Sequence, residues 1–104
     1  MFEIELNDSG EVLVSGRLDA AQAARAQEFL DQVEGPCIVD MSGLDYISSA
    51  GLRVILKSAK MVKGNGAVAI CNANEQIHEV FEISGFLTIL NYLPNLEDAI
   101  KSVS

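Results

Sequence analysis

The stretch Cys37-Ile38-Val39-Asp40-Met41-Ser42-Gly43-Leu44-Asp45-Tyr46-Ile47-Ser48-Ser49-Ala50-Gly51-Leu52-Arg53-Val54-Ile55-Leu56 reads as a buried strand, a polar loop and the start of a helix. Cys37 to Met41 is a run of strand formers entered through Gly35-Pro36, and Ser42-Gly43 is expected to break it. Tyr46-Ile47 is a brief apolar return. Ser48 or Ser49 then suits a helix N-cap, because a serine oxygen can accept a hydrogen bond from a free N–H of the first turn. Leu52, Ile55, Leu56, Ala59 and Val62 follow at helical spacing on one face, and Arg53, Lys57, Lys60 and Lys63 fall elsewhere. Two small hydroxyls therefore sit at the positive end of a helix, where a phosphate would meet favourable N–H groups. Ala50 and Gly51 keep the backbone approachable.

Outward from this stretch, strands and helices alternate. Phe2, Ile4 and Leu6 alternate with Glu3 and Glu5 as in a half-buried strand, and Asn7-Asp8-Ser9-Gly10 is turn chemistry. Val12 and Val14 resume the alternation up to Gly16, so a leading hairpin is expected. Asp19 can cap a first helix with Ala20, Ala23, Ala26, Leu30 and Val33 inward, stopped by Glu34-Gly35-Pro36. Lys63-Gly64-Asn65-Gly66 ends the second helix. Ala67 to Cys71 is continuously apolar, as for a strand covered on both faces. Asn74 caps a helix with Ile77, Val80 and Phe81 inward, ended by Gly85. Leu87 to Leu93 supplies a last strand, and Asn95 caps a final helix carrying Leu96, Ala99, Ile100 and Val103 inward. The order β-β-α-β-α-β-α-β-α predicts an α/β fold with a mixed, mostly parallel sheet of about five strands and about four helices.

The 104 residues are expected to form one domain, 1–104. Apolar residues make up 49%, too many for a disordered chain. A net charge of −8 argues against free nucleic acid as a partner. The acidic, alternating N-terminus is unlike a signal peptide, and the chain has no run of about 20 apolar residues, so a cytoplasmic protein without membrane insertion is expected. No Asp or Glu occurs between Tyr46 and Asn74. The basic side chains of the second helix are either a solvated face or a docking surface for an acidic partner patch. Cys37 and Cys71 sit in apolar runs as small buried hydrophobes, without the spacing of a metal site. His78, the one histidine, reads as an exposed helix residue, which leaves no catalytic triad and no metal or cofactor loop.

Asp40-x-Ser42 followed by Ser48-Ser49-Ala50-Gly51-Leu52 resembles the signature of the STAS domain, the family of bacterial anti-sigma factor antagonists. Val80-Phe81-Glu82-Ile83-Ser84-Gly85-Phe86 resembles that family's pattern ahead of its last strand. The resemblance implies a phosphoacceptor serine two residues before Gly-Leu, here Ser49, with Ser48 as the alternative. Many relatives carry Asp-Ser-Ser-Gly-Leu, so Ser48 replaces the acid and Ala50 the second serine. The resemblance further implies partner switching. The unphosphorylated protein, a monomer, binds an anti-sigma factor that is also an ATP-dependent serine kinase, phosphorylation releases it, and a serine phosphatase resets it. ATP belongs to the partner, so the chain is a substrate rather than an enzyme and carries no cofactor. Asp40, Ser42, Asp45 and Gly51 would support the loop, and Ser48, Ala50, Leu52, Arg53 and Lys57 would meet the partner. One rival keeps the fold as a constitutive subunit of a lipid-transport or other signalling complex. Another is an enzyme using Asp40 and Asp45 with the serines, which no base, metal cluster or cofactor loop accompanies.

Overall fold

In a computed structural model, which describes residues 1–33, 37–61, 68–88 and 91–103, the elements follow the expected order. They are β1 (Phe2–Leu6), β2 (Glu11–Leu18), α1 (Ala20–Asp31), β3 (Cys37–Ile47), α2 (Ser49–Met61), β4 (Val68–Cys71), α3 (Glu75–Ile83), a 3-10 turn (Phe86–Thr88), β5 (Tyr92–Leu93) and α4 (Leu96–Val103). The described strands form one five-stranded sheet in the order β1-β2-β3-β4-β5. β1 pairs antiparallel with β2, and every other pairing is parallel, because each later strand is reached through a helix.

The sheet has two differently covered faces. On one, Val12, Val14, Leu18, Val39, Met41 and Ile70 pack with Ala26 and Leu30 of α1, Leu52 and Ile55 of α2, and Ile77 and Phe81 of α3. On the other, Ile38, Ala69 and Cys71 meet Ala99 of α4. β4 is thus buried on both faces, as its continuous apolar run predicts. Cys37 and Cys71 are free and buried.

β3 departs from the expected break at Ser42-Gly43 and runs on to Ile47. Two bulges explain this. Leu13 pairs with Asp40 but Ser15 with Gly43, and Gly16 pairs with Leu44 but Arg17 with Tyr46. Each step inserts one extra residue on β3. Burial therefore changes from the continuous run Cys37–Val39, covered on both faces, to Met41, Leu44 and Ile47 at a period of three, with Ser42, Gly43, Asp45 and Tyr46 exposed. Gly43 is there for closeness: a Cβ on it would lie 2.8 Å from the Ser15 Cβ.

Other boundaries and faces also shift. β2 passes Gly16 and ends at Leu18, held by the extended pairing to β3. Leu6 lies at the end of the edge strand and is 52% exposed. Ala20 in the first turn of α1, Val80 of α3 and Ile100 of α4 are exposed rather than inward. Of the strand expected over Leu87 to Leu93, the described residues show Tyr92–Leu93 as strand and Phe86–Thr88 as a 3-10 segment, and residues 89–90 lie outside the described residues. Val54, absent from the expected inner face of α2, is buried. The predicted stops at Glu34-Gly35-Pro36 and Lys63-Gly64-Asn65-Gly66, Val62, and the side chains of Ala59, Lys60 and Val103 lie outside the described residues.

Candidate functional site

The site lies where β3 hands over to α2. Ile47 is buried, which fixes the direction of the chain as it leaves the sheet. The Ser48 N–H donates to the Leu18 carbonyl at 2.9 Å, tying the end of β3 to the end of β2. The Ser48 carbonyl accepts from the Leu52 N–H at 2.9 Å, and its Oγ accepts from the Gly51 N–H at 3.1 Å. Ser48 is therefore the N-cap, half-buried and fully engaged.

Ser49 is the first helical residue. It is exposed, and no hydrogen bond among the described residues uses its hydroxyl. The first turn of α2 carries no acidic residue. A free hydroxyl thus stands at the positive end of a 13-residue helix, with no carboxylate in that turn opposing added negative charge.

Gly51 is buried for a steric reason. A Cβ there would lie 2.8 Å from both the Leu18 carbonyl oxygen and its Cγ, and 2.9 Å from the Ile47 Cγ1. The glycine lets α2 start tight against the sheet end, and so fixes where Ser49 stands. Ala50 is half-buried. Leu52 is a core residue beside Ile55, so its expected place on a partner surface is withdrawn: its apolar side chain is spent inside. Arg53 and Lys57 are exposed, four and eight residues beyond Ser49, and so share its side of the helix.

Asp40 supports the sheet end rather than the serines. Its Oδ1 accepts from the Ser42 N–H at 2.9 Å and from the Asn72 Nδ2 at 3.3 Å. Ser42 and Asp45 are exposed on the two bulges. No hydrogen bond among the described residues joins Asp40, Ser42 or Asp45 to Ser48 or Ser49.

Two groups of residues escaped the sequence reading. Arg17 lays its guanidinium carbon 4.2 Å from the centroid of the Tyr46 ring, beside the serine loop. The signal was the parallel register, which sets Arg17 opposite Tyr46 only once the second bulge is counted. The second group closes the end of β4. Asn72 adopts a left-handed conformation with φ 62°. The Asn74 Oδ1 accepts from the Ile77 N–H at 2.9 Å, capping α3 as expected, while its Nδ2 donates to the Leu44 carbonyl at 3.0 Å. The Ala73 N–H donates to the Tyr92 hydroxyl at 3.1 Å. His78 is half-buried rather than exposed, its ring edge-on to Tyr92 at 5.1 Å.

Burial governs the titrating groups here. It pushes the Cys71 thiol up from 9.0 to about 11, helped by the negative charges of Asp40 and Glu11. Cys37 is pushed up by burial. Tyr92 is pushed up by burial against the opposing effect of the Ala73 N–H. These thiols are inert packing groups rather than nucleophiles. Among the described residues no three His, Cys, Asp or Glu side chains gather as metal ligands.

This fold and loop match a known domain model, STAS, over residues 4–99. The chain belongs to the STAS domain family. A stretch of 74 residues is 45% identical to BtrV of Bordetella bronchiseptica, whose name assigns it provisionally to the anti-sigma factor antagonists. That match covers 70% of this chain and spans 60% of the length of BtrV. Among solved structures, an anti-sigma factor antagonist from Mycobacterium paratuberculosis superposes with a TM-score of 0.85 at 18% identity, covering 99% of this chain and 92% of that one. The Bacillus cell fate determinant SpoIIAA in its phosphorylated form superposes with a TM-score of 0.66 at 17% identity, covering 98% of each chain. At these identities the two structures establish the shared fold.

Proposed function

We propose that this chain is an anti-sigma factor antagonist, acting as a single STAS domain, whose hold on its partner is switched by phosphorylation of Ser49. The observation that carries the reading is the division of labour between neighbouring serines. Ser48 spends its hydroxyl on the cap, and Ser49 leaves its own exposed. The name of BtrV and the solved phosphorylated form of SpoIIAA support it. The partner is an anti-sigma factor that is also a serine kinase and brings the ATP. A phosphatase reverses the modification, and the antagonist performs no chemistry of its own. It works as a cytoplasmic monomer.

The mechanism is electrostatic. A phosphate adds about −1.5 to −2 charges at neutral pH. The N–H groups at the start of α2 tolerate that charge in water, so the fold survives. A partner docked over the loop would desolvate the same charge and is repelled by it. A penalty of about 3 kcal/mol, a little over a hundredfold in affinity, makes an effective switch.

The test is intact mass with fragment mapping of the protein from its native cells, with phosphatase inhibitors present. One phosphate on Ser49, together with loss of kinase binding in Ser49→Asp, is the expected result. Unmodified protein across growth conditions, and a Ser49→Asp variant that keeps all its partners, would favour a constitutive STAS subunit of a larger assembly instead.

A further inference from the structure

The edge of the sheet at β1 carries a groove that contains no residue of the serine loop. β1 is the first strand of the sheet order and, among the described residues, pairs with β2 alone. The Arg17 N–H donates to the Met1 carbonyl at 2.8 Å, and the Asn7 N–H to the Glu11 carbonyl at 2.9 Å. Such bonds fall on alternate residues of an antiparallel pair. Met1, Glu3, Glu5 and Asn7 therefore bond toward β2, and Phe2, Ile4 and Leu6 turn their N–H and C=O groups outward. The Phe2 carbonyl is met there by the Arg25 Nη1, which donates to it at 2.9 Å. Among the described residues nothing meets the outward groups of Ile4 and Leu6.

Helix α1 runs beside this edge without closing it. Arg25, Glu28, Phe29 and Gln32 recur at helical spacing and form one wall, with Ile4 and Leu6 opposite. Two adjoining hollows share Ile4, Phe29 and Gln32: one of about 570 Å³ toward Val33, the other of about 190 Å³ toward Arg25. The lining is apolar where it is deepest, since Ile4 is buried and Phe29 and Val33 are half-buried. The rim is acidic. Glu3 and Glu5 are exposed on the other side of β1, Glu28 is exposed on α1, and Arg25 is engaged with Phe2. A second copy of β1 laid along this edge would set its own glutamates against Glu3 and Glu5, and like charges opposed across strands destabilise the pair. A strand of the complementary pattern fits: apolar side chains toward Ile4, Leu6 and Phe29, basic ones toward Glu3 and Glu5.

We propose that the β1 edge is a docking site for an extended segment of a partner protein, alternating apolar and basic residues, which joins the sheet as a further strand beside β1. Its main chain bonds the outward groups of Ile4 and Leu6, its apolar side chains fill the groove against α1, and its basic side chains pair with Glu3 and Glu5. The five residues of β1 span about 17 Å, which sets the length of the segment at about five residues. Glu3 and Glu5 then act twice, guarding the edge against another copy of this chain and selecting a basic partner. The site stands or falls apart from the switch at Ser49, with which it shares no residue.

The experiment titrates the full chain, labelled with ¹⁵N, with an acetylated and amidated heptapeptide in which lysine alternates with isoleucine. Main-chain bonds carry much of the affinity of an added strand, so a generic peptide of the right pattern is a fair probe. Saturable shifts of the Ile4 and Leu6 amides, with slowed hydrogen exchange at both, are the expected result. The same peptide with glutamate for lysine should bind at least tenfold more weakly, and the Glu3→Lys/Glu5→Lys double variant should reverse that preference. Leu6→Pro removes an outward N–H without touching the ladder to β2 and should weaken binding about tenfold. Phe29→Gln, which makes the groove wall polar, should do the same. Thermal melts show which variants are folded, and the charge variants alone keep the test decisive should the others unfold. Glu79→Lys, exposed on α3, changes the same charge elsewhere and stays within twofold. The proposal is overturned if the lysine peptide does not saturate, or if the two peptides bind alike. Shifts confined to Phe29 and Val33 overturn it too, because the groove then takes an apolar molecule and no strand. So does a dimer of the unliganded chain, seen by sedimentation and dissolved by Leu6→Pro, because the edge then belongs to a second copy.

Discussion

The ends of β3 and β4 solve the same problem and spend their polar groups differently. Each parallel strand leaves the sheet through small polar residues and enters a capped helix. At the end of β4 the asparagines are consumed. Asn72 reaches Asp40, and Asn74 both caps α3 and holds the Leu44 carbonyl. Even the Ala73 N–H is met by the Tyr92 hydroxyl. At the end of β3 one serine is consumed and its neighbour is left over. A loop whose donors and acceptors are all internally paired has little to offer a partner. A loop with one exposed, unspent hydroxyl at a helix N-terminus can be modified without dismantling anything. The comparison locates function by what the fold does not use.

The sharpest way to break it is to move α2. A methyl group at position 51 would press on the Leu18 backbone at 2.8 Å, and backbone cannot step aside cheaply. Gly51→Ala should therefore cost roughly 2–3 kcal/mol of stability despite the better helix propensity of alanine. Urea unfolding measures it. A neutral or stabilised variant would mean that α2 is free to shift, and that the Ser49 position is not sterically set.

The end of β4 should reveal itself by pH. Cys71 lies beneath it, its pKa raised from 9.0 to about 11, chiefly by burial. A thiol with a higher pKa folded than unfolded keeps its proton longer in the fold. The stability this confers is complete below about pH 9 and is lost as pH rises through about 11. The loss is at most about 1.4 kcal/mol per pH unit for one group. Denaturant midpoints from pH 8 to 10.5 should fall, and Cys71→Ala should flatten the slope while lowering the starting value. Some slope remains in that variant, because burial raises Cys37 and Tyr92 in the same direction. An unchanged slope would show that this strand end admits water.

Much of this was legible in advance where local chemistry decides alone. Asp19, Asn74 and Asn95 cap their helices as their residue types suggest, accepting from Gln22, Ile77 and Asp98. The double burial of β4 followed from its unbroken apolar run. What escaped depends on pairing. Ser42-Gly43 reads as a breaker, yet with a bulge on each side of Leu44 those residues stay in the sheet. Apolar residues at Met41, Leu44 and Ile47 fit no strand period until the extra residues are placed against β2. The Arg17–Tyr46 stack escaped for the same cause, being created by that register. Choosing between Ser48 and Ser49 as the cap required the Gly51 N–H to be seen bonding one of them. For Leu52 the resemblance implies a place at the partner surface while the helical spacing sets it on the apolar face with Ile55, and it is buried there, where Gly51 lets that turn lie close against the sheet end.

The asparagine cap comes next in size. Asn74→Ala removes a cap and leaves the Leu44 carbonyl without its donor, roughly 2 kcal/mol together. Asn74→Ser restores a capping oxygen without the tether and should recover about half. Full recovery by serine would mean that the tether to β3 contributes nothing.

The smallest effect on stability decides the most about function. Ser48→Ala loses the cap of α2 and should cost about 1 kcal/mol. Ser49→Ala touches no hydrogen bond among the described residues and should stay within about 0.5 kcal/mol of the wild type. Phosphorylation by the partner kinase should show the reverse pattern, kept in Ser48→Ala and abolished in Ser49→Ala. Both readouts are needed, because each alone has a trivial explanation: a destabilised loop can be a poor kinase substrate, and a silent surface serine can be silent in every assay. If Ser49→Ala destabilises the fold and Ser48→Ala does not, the roles of the two hydroxyls are exchanged, and the acceptor is the residue that now serves as the cap. If both variants are stable and both are phosphorylated, the Ser48→Ala/Ser49→Ala double variant decides: phosphorylation that persists there excludes both serines, and the unspent hydroxyl at the start of α2 is only a solvated one.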